Sequence, residues 1–146
     1  NNNEFFVFSN RLTDFSKTDD EEFSLAPTIF QEEIKNKIDY RVTIVGKSCF
    51  VAEITYDNDS IVDWRKIKEN IRIKFCYLPR DITEKCIRYV SELGLVFGAI
   101  DLVKSNDEYY FLEINPNGEW GWLQKREKFT IAESIAEELI RGTNNE

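Results

Sequence analysis

Two acidic residues stand inside stretches that are otherwise apolar, Asp101 in the run 95–103 and Glu113 in the run 109–114. Strand residues two apart share a face, so Asp101 is expected to point with Phe97 and Ala99, and Glu113 with Phe111 and Asn115. Ser105-Asn106-Asp107 reads as the turn joining the two strands. Centred near Asp107, that turn sets Asp101 directly opposite Glu113. Like charges facing each other across a ladder are destabilising, and carboxylates in the middle of apolar strands are costly to bury. A divalent cation resolves the conflict. Two carboxylates with the amide oxygen of Asn115 make an all-oxygen set of hard donors, suited to Mg²⁺ that still carries phosphate oxygens and water. On residue types alone, a solvated sheet face with two unrelated acids explains the same pattern.

The rest of the composition narrows the chemistry mainly by what it lacks. The 146 residues are 42% hydrophobic and 14% aromatic, enough for one domain with a substantial core. There is no His, which removes imidazole acid–base catalysis, Ser-His-Asp triads and His-ligated zinc. The three Cys (Cys49, Cys76 and Cys86) are widely spaced and form no Cys-x-x-Cys pair, so a reducing compartment, the cytoplasm, is expected. Nineteen basic against 27 acidic side chains leave a net charge of −8, which disfavours nucleic acid as a partner. No apolar run approaches the ~20 residues of a membrane span, and the polar start Asn1-Asn2-Asn3 does not read as a signal peptide. The chain contains no Met, even at position 1, and is expected to be a piece of a longer protein.

The elements that must position the acids are legible in outline. Phe5-Phe6-Val7-Phe8 reads as a buried strand, 13–22 as an acidic loop, and 28–34 as a short apolar run turning polar. A hairpin follows, with arms 40–45 and 49–55 around Gly46-Lys47, and Asp57-Asn58-Asp59-Ser60 reads as a turn. A helix is expected over 81–93, with Asp81 and Glu84 as a capping box, Ile82, Cys86, Tyr89, Val90 and Leu93 on one face, and Gly94 as the C-terminal stop. After the acidic hairpin the chain turns through Asn115-Pro116-Asn117-Gly118, and a last helix spans 131–140 behind Thr130 and Glu133. The basic segment after Asp63-Trp64-Arg65 carries no readable period. The class is α+β with a mainly antiparallel sheet.

Asp101 with Glu113-Ile114-Asn115-Pro116-Asn117-Gly118 resembles the metal-binding end of ATP-grasp ligases, in which an Asp on one strand and a Glu-x-Asn on the next hold the magnesium ions of ATP. The block from Asn115 to Trp122 resembles more narrowly the ATP-grasp maturases of ribosomally made peptides, the microviridin or graspetide ligases. Pro27-Thr28-Ile29-Phe30-Gln31-Glu32, Arg41-Val42-Thr43-Ile44-Val45-Gly46 and Asp63-Trp64-Arg65 match the same group in the same order. The resemblance spans about residues 5 to 140 and implies the later half of an ATP-grasp fold. Residues 1–146 are then the carboxy-terminal part of such a domain, without the amino-terminal domain and most of the phosphate-covering lobe, and are expected not to turn over alone.

The resemblance also implies roles. Gln31, Glu32, Glu33 and Ile34 fall in the hinge whose main chain reads adenine while a nearby acid takes the ribose, with Asp39 a weaker candidate for that contact. Arg41 and Arg65 correspond to the basic residues that face the phosphates and the acyl-phosphate intermediate, a task suited to a planar, permanently charged fork. Asp101, Glu113 and Asn115 are the metal set, ATP and Mg²⁺ the cofactors, and a precursor peptide the partner; a homodimer stays open. By residue type alone, 30–34 reads rather as an edge strand ending in solvated acids, and either Arg as a solubilising charge. Trp120 and Trp122 either wall the site or pack on the core, with core packing favoured, and Cys49 and Cys86 read as small core residues. The implied chemistry is phosphorylation of a carboxylate to an acyl phosphate, then attack by a hydroxyl or amine. Another carboxylate–amine ligase of the superfamily, of the glutamate-adding or glutathione-synthetase type, is the alternative, as is a non-catalytic domain of the same fold.

Overall fold

The computed structural model describes residues 9–14, 16, 27–56, 62–67, 70–127 and 129–143. The strand expected at 5–8 and the turn expected at 57–60 lie outside them. Five strands, β1 (Ile38–Val45), β2 (Ser48–Tyr56), β3 (Ile71–Cys76), β4 (Phe97–Ser105) and β5 (Glu108–Asn115), form one sheet in the order β3-β2-β1-β4-β5. Every neighbouring pair is antiparallel. The expected hairpins are β1–β2 and β4–β5, laid side by side through the β1–β4 pairing. Each reverses at residues that tolerate positive φ: Gly46 at +56° in the first, Asn106 at +50° and Asp107 at +65° in the second.

The alternation of side chains divides the sheet into two differently covered faces. Tyr40, Val42, Ile44, Val51, Ile100 and Leu102 pack against helix α1 (Arg80–Glu92), which contributes Cys86 and Val90. On the opposite face Val45 and Ala52 are covered by Leu123 of helix α2 (Gly121–Glu127), by Phe129 and by Ile131 of helix α3 (Ile131–Thr143). That cover stops short of the other ends of β1 and β4, and the bare part of this face carries the acids.

Several sequence expectations need correction. Helix α1 is capped by Pro79, whose missing N–H is no loss where helical N–H groups have no partner, so Asp81 sits in the first turn and no capping box forms. Glu84 pairs instead with Arg80 at 2.7 Å. Its buried stripe is narrower than the five residues expected, since Tyr89 and Leu93 remain 38% and 49% exposed. The stop is as expected: Gly94 at φ +70° donates to Ser91 O and Leu95 N–H to Val90 O, the two bonds of a Schellman motif. Residues 28–34 form no strand, Trp64–Lys66 is a single 3₁₀ turn, and the unplaced basic segment supplies edge strand β3. Helix α2 was not anticipated; Trp120 and Trp122 pack on the core cluster beneath it. The N-terminal Ala132 N–H of α3 donates to Gln124 Oε1 at 2.8 Å, a cap supplied by the preceding helix.

Cys49, Cys76 and Cys86 are free and gather on the α1 side, where burial pushes their thiols up to about 12, 11 and 11. They are core residues, not nucleophiles. Among the described residues no helix is long and apolar enough to cross a membrane.

Gly94→Ala tests the α1 stop cleanly, because a Cβ there meets nothing within 4 Å and only the backbone conformation is opposed. It should lower unfolding free energy by about 1 kcal/mol in urea denaturation, with the slope unchanged.

Candidate functional site

Asp101 and Glu113 do face each other, by a route that the spacing conceals. The turn is the two residues Asn106 and Asp107, and the ladder beyond it pairs Ser105 with Glu108, Val103 with Tyr110 and Leu102 with Phe111. Continued without interruption, that register would set Asp101 opposite Leu112 and turn Glu113 to the α1 side. A β-bulge between Asp101 and Leu102 takes up Leu112 as an extra residue, and from there the pairs are Asp101–Glu113, Ile100–Ile114 and Ala99–Asn115. Phe111 consequently does not share the face of Glu113, as expected from simple alternation. It lies on the α1 side, edge-on to Tyr89 at 5.2 Å between ring centroids.

The pair is electrostatically uneasy. Burial pushes the Asp101 carboxyl up to about 6 from its ordinary 3.8; Arg41 opposes the rise, and the charge and hydrogen bond of Glu113 add to it. Arg41, beside Asp101 in the β1–β4 ladder, brings Nε to 3.0 Å from Asp101 Oδ1. This contact is ionic, since the buried Nε–H is not aligned into a hydrogen bond. One basic neighbour therefore does not neutralise two acids. The donors are all hard oxygens, and a divalent cation fits them in kind. Among the described residues no third carboxylate or thiolate joins the pair, so the remaining protein ligand would be the Asn115 amide. Asn115 Oδ1 accepts the Asn117 N–H at 2.8 Å, which leaves its second lone pair free.

Gly118 explains the shape of this turn. It is buried, donates to Asn115 O at 3.3 Å, and a Cβ on it would stand 2.4 Å from Ala99 Cβ and 3.6 Å from Arg41 Nη1. Only glycine lets the turn lie on the strand at this point.

A cleft of about 720 Å³ opens in front of the pair and draws together distant segments. Asp101 and Glu113 lie on one wall, Gln31, Glu32, Glu33 and Ile34 on another, and Arg65 beside them. Arg41 and Asn115 are not lining residues; each lies beside Gly118 instead. Glu33 is gripped by Arg11, through Nε at 2.7 Å and through a second contact from Nη2. Asp39, the weaker ribose candidate, is buried with both oxygens engaged, by Lys37 at 2.7 Å and by the Tyr56 hydroxyl at 2.8 Å. Arg65 is held by Asp63, which also caps the 3₁₀ turn.

Sequence reasoning missed Arg11, Leu112, the packing role of Gly118 and the grip of Asp63. Asp63 had a readable signal, an acid two residues before an Arg at a turn. Arg11 had none, since its partner lies 22 residues away.

No family model matches the sequence. Solved structures do resemble it. The macrocyclase MdnC of Microcystis aeruginosa, bound with precursor peptide MdnA, is 38% identical over 77% of this chain with a TM-score of 0.63. A Chryseobacterium gregarium RiPP-associated ATP-grasp ligase, in complex with ADP and a leader and core peptide, is 33% identical over 77% of the chain with a TM-score of 0.67. The chain carries part of an ATP-grasp domain. It spans 35% of each of those two proteins. A curated relative, the tetrahydromethanopterin:alpha-L-glutamate ligase of Methanocaldococcus jannaschii, is 26% identical over 80 residues, 54% of this chain and 28% of that one. The expected α+β class and antiparallel sheet with flanking helices are thus found.

Two outcomes follow for this ATP-grasp sheet. Asp101 binds its proton more tightly folded than unfolded, so its ionisation removes stability as pH rises from about 4 through about 6. In chelator, Asp101→Asn should therefore gain on the wild type across that window, on the order of 2 kcal/mol by pH 7.5, read from urea denaturation at each pH. Gly118→Ala should destabilise the fold by about 1–3 kcal/mol in the same assay, because Ala99 on a central strand has no room to yield.

Proposed function

We propose that this chain supplies the hinge and metal face of a longer ATP-dependent carboxylate–amine or carboxylate–alcohol ligase. The ligase activates an acidic side chain of a precursor peptide as an acyl phosphate and closes it into an ester or amide cross-link. The observation that carries this reading is the bulge that turns Glu113 toward Asp101, in a cleft shared with the 31–34 segment and Arg65. The likeness to MdnC and to the Chryseobacterium ligase, both solved with precursor or core peptides, supports the substrate class.

In this reading Gln31, Glu32, Glu33 and Ile34 receive the adenine and ribose, with Arg11 setting the angle of Glu33. Asp101, Glu113 and Asn115 hold Mg²⁺. A Mg²⁺ held by these oxygens would supply positive charge to offset that of the phosphate oxygens. Arg65, half-exposed at the cleft, offers N–H donors to the phosphate being transferred. Arg41 keeps the metal wall from carrying two uncompensated negative charges and presents Nη1 toward the Gly118 turn. The substrate carboxylate attacks the γ-phosphorus and ADP leaves; a hydroxyl or amine then attacks the acyl carbon and inorganic phosphate leaves. Both steps are catalysed by positioning and by fixed charge, and neither needs the imidazole that this chain lacks.

A second reading, a glutamate-adding ligase, is favoured by the match to the methanogen enzyme. The two differ in product. Incubation of the complete parent protein with ATP, Mg²⁺, free glutamate and its precursor peptide should remove one water per bond formed, read by mass spectrometry. A gain of glutamate mass would favour the second reading, and an unchanged peptide would overturn the first. In this chain, titration calorimetry should show ATP binding that depends on Mg²⁺ and falls at least tenfold in Asp101→Asn.

A further inference from the structure

The Asp63–Arg65 pair is built in an unusual way for two residues on a surface turn. Asp63 is buried to 5% exposure, whereas the Arg65 side chain is 50% exposed. One carboxylate makes four bonds. Oδ1 accepts the Arg65 backbone N–H at 3.1 Å and its Nε–H at 2.9 Å, while Oδ2 accepts Arg65 Nη2 at 2.8 Å and the Ser9 N–H at 3.2 Å. The same acid thus fixes both ends of the Arg65 side chain, the main-chain root and the guanidinium tip, and closes the residue into a ring. Burial alone would raise the Asp63 carboxyl, but its bonds from Arg65 and Ser9 outweigh that and hold it below its ordinary range, so it grips Arg65 as a charged acceptor. What the ring provides is a guanidinium plane with a single orientation.

We propose that Asp63 is a positioning residue for Arg65, orienting its guanidinium so that the donors not engaged by Asp63 face the phosphate in the cleft. The inference rests on the ATP-grasp reading of Arg65. Two of the five guanidinium N–H donors go to Asp63, leaving three on the edge pointing away from it. Arg65 lines the same cleft as Asp101 and Glu113 and feels the charge of both. A free Arg side chain would be drawn toward those carboxylates. Held by Asp63, it leaves them to the cation and meets phosphate oxygens with its orientation already fixed.

Asp63→Asn separates this role from folding, because Asn is itself a good cap for the turn but replaces one acceptor of the fork by a donor. Titration calorimetry with ATP and with ADP, each with Mg²⁺, reads the contact to the terminal phosphate as the ratio of the two affinities. Asp63→Asn and Arg65→Ala should each lower the ATP preference about tenfold with ADP affinity held within about twofold, and the double variant should lose no more than Arg65→Ala alone. An unchanged ratio in Asp63→Asn beside a reduced one in Arg65→Ala, or losses that multiply in the double variant, would overturn the proposal. A nucleotide-free readout separates it from the ATP-grasp reading. The Arg65 Nε–H resonance should exchange with solvent at least tenfold faster in Asp63→Asn than in the wild type. Equal rates would overturn the grip itself. Slow wild-type exchange in a chain that binds neither nucleotide would uphold the grip and count against Arg65 as a phosphate ligand.

Discussion

Two carboxylates facing each other on one side of a sheet are the constraint around which this structure is arranged. β-sheet pairing offers no cheap place for them, since directly opposed like charges repel and Asp101 is largely withdrawn from water. The protein brings them together all the same, and spends one irregularity to do so: Leu112, taken up as a bulge, shifts the end of β5 by one residue. Without it the charge would fall among the apolar side chains under α1. Bulges are found where a side chain must be re-aimed, and here the re-aimed residue is Glu113.

The surroundings of the pair follow from its charge. Arg41 stands beside Asp101 on the neighbouring strand and Arg65 approaches from the cleft, yet burial and Glu113 still hold the Asp101 carboxyl at about 6. The two basic residues are held differently: Arg41 pairs with Asp101 and reaches the Gly118 turn, whereas Arg65 is tied to Asp63. The face opposite is dense and apolar. Val42, Ile44, Ile100 and Val90 are almost fully buried there and give the sheet the rigidity that a small electrostatic site requires.

The cleft is a product of long-range assembly. The 31–34 segment has no regular structure and is placed by the strand that follows it and by Arg11, while residues 9 and 10 bond to Asp63 and Lys66. Segments more than fifty residues apart in the chain therefore meet along one rim.

How much of this the amino-acid order determined can be read from particular residues. Both hairpins, their turns, the Gly94 stop and the apolar stripe of α1 were legible, because period-two alternation, turn chemistry and capping act between near neighbours. The opposition of Asp101 and Glu113 was also expected, though for a register that the chain does not use along the whole hairpin. A turn one residue shorter and a bulge one residue long compensate, and nothing in the local pattern marks Leu112 as the residue to be left over. The narrow burial of α1, the helix at Gly121–Glu127 and the grip of Arg11 on Glu33 were decided by tertiary structure alone. Each depends on which surfaces meet across the fold, and contacts made at long sequence separation leave no period in the chain that forms them.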